Sequence, residues 1–257
     1  MSIPSMVIPD DASTLCFVAI VLALAALFVA GVARAGRTLG EPPAVTRRWT
    51  ARAAFGIAGW LALTALVPAS GVLAREVMPP PLALFAFASV AVSVAAAFSP
   101  IGTRLARGLP IAALVLVQAF RLPLELVLHS WKEQGVLPVQ MTFEGHNFDI
   151  VSGVLAVLVG GLLLRGSAPR AFVWVFNLIG FGLVLTVSTI AVLSSPLPIR
   201  TYLADPPVLL AFHFPYAWII PICVGGAIFG HLVTFRWLLA TGGAREVEGA
   251  LHGQPAR

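Results

Sequence analysis

Residues 110–133 read PIAALVLVQAFRLPLELVLHSWKE, and the fold turns on how this stretch is understood. It is apolar enough to cross a bilayer, yet it carries Gln118, Arg121, Glu125 and His129. At about 100° per residue these four fall within roughly 80° of a helix circumference, forming one polar stripe. A charged side chain near the bilayer centre costs at least about 2.5–3.5 kcal/mol. The stripe must therefore face other helices, water or a ligand rather than lipid. With Pro110 at the inner edge, Arg121 lies about 16 Å along the helix, close to mid-membrane. Glu125 is one turn farther out and His129 one turn beyond that. Pro123 interrupts the helix beside these charges, removing one N–H and freeing the carbonyl one turn back.

The composition agrees with a membrane setting. Of 257 residues, 59% are hydrophobic and 11% charged, and the mean hydropathy is +0.95. Soluble domains carry about 25% charged residues, so a polytopic membrane protein is expected. The net charge of +5 could suggest nucleic acid, but the arginines gather at span ends, which points to a lipid bilayer and excludes a nucleic-acid partner. Cys16 and Cys223 lie in apolar segments without metal spacing and read as small core residues. The N-terminus, MSIPSMVIPDDAST, is acidic and lacks the basic region of a cleavable signal.

Seven apolar stretches are candidates to span, near Thr14–Ala33, Ala53–Leu73, Leu82–Phe98, Ile111–Ser130, Ile150–Leu164, Phe172–Leu193 and Tyr216–Leu239. The third and fifth are short. Proline- and glycine-rich breakers separate the spans, such as Glu41-Pro42-Pro43 and Pro79-Pro80-Pro81. One set of span ends holds Arg34, Arg37, Arg47, Arg48, Arg52, Arg104, Arg107, Arg165, Arg170, Arg236, Arg245 and Arg257. The other has only Arg75, Lys132 and Arg200 as bases, with most of the acids. The positive-inside rule then gives an all-α, polytopic bundle of seven transmembrane helices, N-terminus outside and C-terminus cytoplasmic, in the inner membrane. Residues 1–240 form its single domain and 241–257 a flexible cytoplasmic tail. Small residues on the last three spans, including Gly226 and Gly230 with GxxxG spacing, suit close helix packing.

The candidate site residues are Gln118, Arg121, Glu125, His129, Glu144, His146, His213 and His231. Arg121 and Glu125 stand at i,i+4, where they can form an ion pair that neutralises itself within the bundle. Glu125 and His129 share a face and suit a metal, a proton relay or an acid/base pair. His213 is a third metal candidate, and it could hold a haem together with His129. In the outer loop Glu144 and His146 have no evident structural role, whereas Asn147 reads as an N-cap for the fifth helix and Asp149 as a complement to its dipole. Met141 and Phe143 suggest that this loop folds back on the bundle. His231 is expected in the inner half of the membrane, hydrogen-bonded to Asn177 or Gln118.

The runs FRLPLELVLHSWKEQG, MTFEGHNFDI and HFPYAWIIPICVGGAIFGHL resemble a family of uncharacterised bacterial seven-helix membrane proteins. The resemblance covers about the second half of the chain and implies an inner-membrane location without implying an activity. No lysine lies in the last span for a retinal, and HExxH, HxxxH, GxSxG, Walker, Rossmann and EF-hand patterns are absent. Three readings remain: a protein binding or passing a small ligand, ion or proton at an outward-facing polar site; an accessory subunit of a membrane complex; and an outer-leaflet enzyme or metal site. The sequence ranks them in that order. It names no substrate or cofactor.

Overall fold

The computed structural model describes residues 4–251, with side chains described through Ala240, and these residues form helices and connecting loops without a strand. The order is α1 (Asp11–Thr38), α2 (Pro43–Ala69), α3 (Pro81–Phe98), α4 (Pro100–Gly108), α5 (Ile111–Leu116), α6 (Arg121–Glu133), α7 (Asp149–Leu164), α8 (Arg170–Ser194) and α9 (Gly225–Leu251). The expected tail, 241–257, falls on residues whose side chains are not described, and 252–257 lie outside the described residues.

Local chemistry sets the helix starts. Asp10 caps α1 by accepting from the Ser13 N–H at 2.7 Å, and Asp11 sits in the first turn. Prolines open α2, α3 and α4, where the missing N–H would have had no intrahelical partner in any case. α5 and α6 form one continuous stretch through a 3-10 turn at Val117–Phe120. Pro123 explains that turn: its ring crowds the carbonyl of Ala119, so the backbone tightens just before Arg121. A 3-10 turn at Tyr216–Ile219 and a π turn at Ile220–Val224, containing Pro221, likewise lead into α9.

Among the described residues, six helical stretches are long and apolar enough to cross a membrane: α1, α2, α3, α5–α6, α8 and the segment from Tyr216 to Ala240. Half of the α5–α6 window and 56% of the Tyr216–Ala240 window are buried, against 11% for α2. These two stretches are therefore the centre of the bundle, and α2 is its most peripheral helix. Cys16 is exposed on the outer flank of α1. The expectation of a core cysteine fails there because the neighbours that α1 buries lie on its other face, at Phe17 and Val21.

The fifth expected span, α7, has only 16 residues, about 24 Å of helix. The preceding loop makes up the difference. Leu137, Gln140, Met141, Thr142 and Asn147 are all buried, so the loop descends into the bundle before α7 begins. Irregular backbone at that depth is tolerable only where protein surrounds it. Here Asn147 donates to the Met141 carbonyl at 3.0 Å and Gln140 donates to Ser194 Oγ at 3.2 Å.

The helix ends sort into two groups. At one end Trp131 donates to Ser13 Oγ at 3.0 Å, and Gln134 exchanges two hydrogen bonds with Asp10. At the other, Arg104 on α4 reaches Glu41 and the Val32 carbonyl, Arg170 reaches the Leu238 carbonyl, and Arg236 reaches the Ala97 carbonyl and Thr103. Arg104, Arg170 and Arg236, far apart in the sequence, thus knit one face of the bundle.

Candidate functional site

Gln118, Arg121 and Glu125 are each 1% exposed, so the stripe faces the interior of the bundle. Arg121 is the hub. Its Nη1 donates to Asp149 Oδ1 at 2.6 Å and to the Gly180 carbonyl at 3.1 Å. Its Nη2 lies 3.3 Å from Nε2 of His231. The i,i+4 pairing of Arg121 with Glu125 is accordingly not formed as an ion pair. Asp149 at the start of α7 takes the guanidinium instead, because the descending loop delivers that carboxylate to the depth of Arg121.

The protonation of His231 follows from its neighbours. A guanidinium can only donate, so Nε2 must accept, and the ring proton must sit on Nδ1. Nδ1 then donates to Asn177 Oδ1 at 2.8 Å, while Asn177 Nδ2 donates back to the His231 carbonyl at 3.1 Å. His231 is thus a neutral imidazole with both nitrogens used. Of its two expected partners the structure brings Asn177, whereas Gln118 donates to the Ala227 carbonyl at 3.1 Å.

Asn147 joins the loop to the stripe. Its Nδ2 donates to Glu125 Oε1 at 2.7 Å, and its Oδ1 accepts from the Asp149 N–H at 3.0 Å. Phe148 rather than Asn147 holds the N-cap position of α7, and Asn147, one residue earlier, ties the Asp149 N–H to the carboxylate of Glu125. Among the described residues, Glu125 Oε2, Arg121 Nε and Gln118 Oε1 are buried without a hydrogen-bond partner.

The outer residues form a separate cluster. His129 is half-buried, lies 3.5 Å from Glu144 Oε1, and stacks on Phe143 with centroids 4.8 Å apart. Ligand atoms of His129, Glu133 and Glu144 lie within 4.8 Å of one another. Lys132, however, donates to Glu133 at 2.6 Å and to Glu144 at 2.7 Å, so an ammonium already bridges the two carboxylates and offsets one of their charges. The expected metal set of Glu125, His129 and His213 does not converge. Glu125 is held inside by Asn147, and His213 Nε2 bonds the Pro4 carbonyl at 2.8 Å. The haem pairing of His129 with His213 loses its geometric basis for the same reason. His146 is exposed beside Tyr202.

The profile of one family, described as a domain of unknown function (DUF8737), matches residues 78–239, more than half of the chain. The chain belongs to the DUF8737 family. No curated protein and no solved structure matches it. The DUF8737 segment runs from just before α3 to the end of the described side chains in α9, and it contains every member of the buried network. Asn147, Asp149 and Asn177 are the members that the sequence reading left out of the site. The available signal was a polar pair heading a span too short for the bilayer.

Proposed function

We propose that this chain is a seven-span membrane protein whose buried centre binds and releases a proton at Glu125. The amino terminus lies outside and the carboxyl terminus in the cytoplasm, in the cytoplasmic membrane. One observation carries the reading: Arg121 is committed to Asp149, so Glu125 is buried beside an already balanced ion pair. With His231 neutral, an ionised Glu125 would leave one uncompensated negative charge in the protein interior, a cost of several kcal/mol. A proton on Oε2, the oxygen with no partner, removes that charge. His129, one turn outward and half-exposed against Glu144, stands between that carboxyl and the outer surface. A group that must change protonation to change charge, held in a closed interior, is the minimum equipment of a proton-coupled membrane protein.

Infrared difference spectroscopy of the purified protein through a pH titration tests this directly. A protonated-carboxyl C=O band from the membrane interior should titrate in the native protein and vanish in E125Q, with the melting temperature of the variant close to native. A native protein without such a band, or a band that persists unchanged in E125Q, overturns the proposal.

A further inference from the structure

A cavity of about 540 Å³ lies between α1, α2, α3 and α9, with α4 and α5 closing its side, and no member of the charged network lines it. Its walls include Leu24, Phe28, Gly56, Trp60, Gly226 and Phe229, and Phe28 meets Phe229 edge to face at 5.7 Å. Along α1 the lining runs from Leu24 to Arg34. That distance is about 15 Å of helix, the hydrocarbon depth of one bilayer leaflet. The only charged groups in the lining are Arg34 and Arg52, both exposed and both near the end of the bundle where the other arginines gather. The space is therefore apolar for the length of one acyl chain and cationic at the level of the headgroup.

Three glycines on facing walls keep it open. A Cβ on Gly56 or Gly226 would meet nothing within 4 Å, and one on Gly31 would make only ordinary contacts at 3.5 Å. Gly226 is thus not a close-packing residue, as its GxxxG spacing with Gly230 suggests. Of that pair only Gly230 is crowded, since a Cβ there would run into Gln118 Nε2.

We infer that this cavity is a binding site for one anionic phospholipid, its acyl chain between the α1–α2 hairpin and α9 and its phosphate between Arg34 and Arg52. The inference is independent of the proton-binding reading, since no residue of the charged network lines the space.

Native mass spectrometry tests it, using protein in nanodiscs of equimolar phosphatidylglycerol and phosphatidylethanolamine. One phosphatidylglycerol should remain on the protein after the bulk lipid is stripped. The double variant R34Q/R52Q should retain it roughly thirtyfold less, as expected for two arginines near a membrane surface. G226L, which fills the cavity without a backbone clash, should lose it while R34 and R52 remain. R75Q, at the opposite end of the bundle, should behave as native. Equal retention of the two lipids, or retention unaffected by R34Q/R52Q, means annular lipid only and overturns the inference. Should G226L fail to fold, the arginine pair, which is exposed and far from the core, still decides.

Discussion

Arg121 keeps its charge at mid-span because three helices and a loop end converge on it. Asp149, the Gly180 carbonyl and His231 occupy its terminal nitrogens. Removing one partner leaves a buried charge alone, which typically costs about 3–5 kcal/mol. D149N should therefore lower unfolding stability in detergent by an amount of that order. The double variant R121M/D149N should lose less than the sum of the single losses, since the second change removes the orphaned charge. Additive losses would show that the pair is not coupled. Gly180 makes a sharper test of geometry. A Cβ there would lie 2.6 Å from His231 Cε1, whereas one on Gly182 would meet nothing within 4 Å. G180A should be destabilised by about 1–3 kcal/mol, the usual cost of overpacking, and G182A should melt like the native protein. Periodicity made the stripe of Gln118, Arg121 and Glu125 legible, because one helix fixes their relation. It could not reveal that Asp149, rather than Glu125, answers Arg121, since that contact depends on how far a loop descends.

At the scale of elements, the proposed seven-span reading requires α7 and its loop to act as one span. The helix is too short alone, and the loop before it buries Leu137, Gln140, Met141, Thr142 and Asn147. The apolar Met141 and aromatic Phe143 were visible as signs of a loop that folds back, but nothing in their spacing gives the depth. The start of α1 is a second element with a measurable consequence. Asp10 is held below the ordinary aspartate value of 3.8, chiefly by the Ser13 backbone N–H. A carboxylate depressed on folding stabilises the folded state above its unfolded pKa, and that contribution disappears as pH falls through the lower folded value. The melting temperature of the native protein minus that of D10N should therefore be constant near neutrality and shrink below about pH 3.8. A difference that stays flat into strong acid would remove Asp10 from the acid response.

For the molecule as a whole, the two ends are set by chemistry that recurs at every crossing. The α1–α2 turn, α4, the α7–α8 turn and α9 all bring arginines to one face, linked through Arg104, Arg170 and Arg236. Those charges were countable in the sequence, and they give an orientation only if each apolar stretch crosses once. α7 is the crossing in question, because its 16 residues fall short of a full span and a loop makes up the difference. Single cysteines decide it in a background where Cys16 and Cys223 are replaced. E76C, in the exposed turn after α2, should react with a membrane-impermeant maleimide in intact cells. L39C and S167C, both exposed at the arginine-rich face, should react only after permeabilisation. If α7 entered the membrane and turned back without crossing, S167C would label from outside and α8 would have to run in the opposite sense. The Arg236 contacts with the Ala97 carbonyl and Thr103 would then join two faces of the membrane, which a single guanidinium cannot do. Labelling of S167C from the same side as L39C therefore makes α7 a full crossing, the one that the seven-span reading adds to the six longer helical stretches.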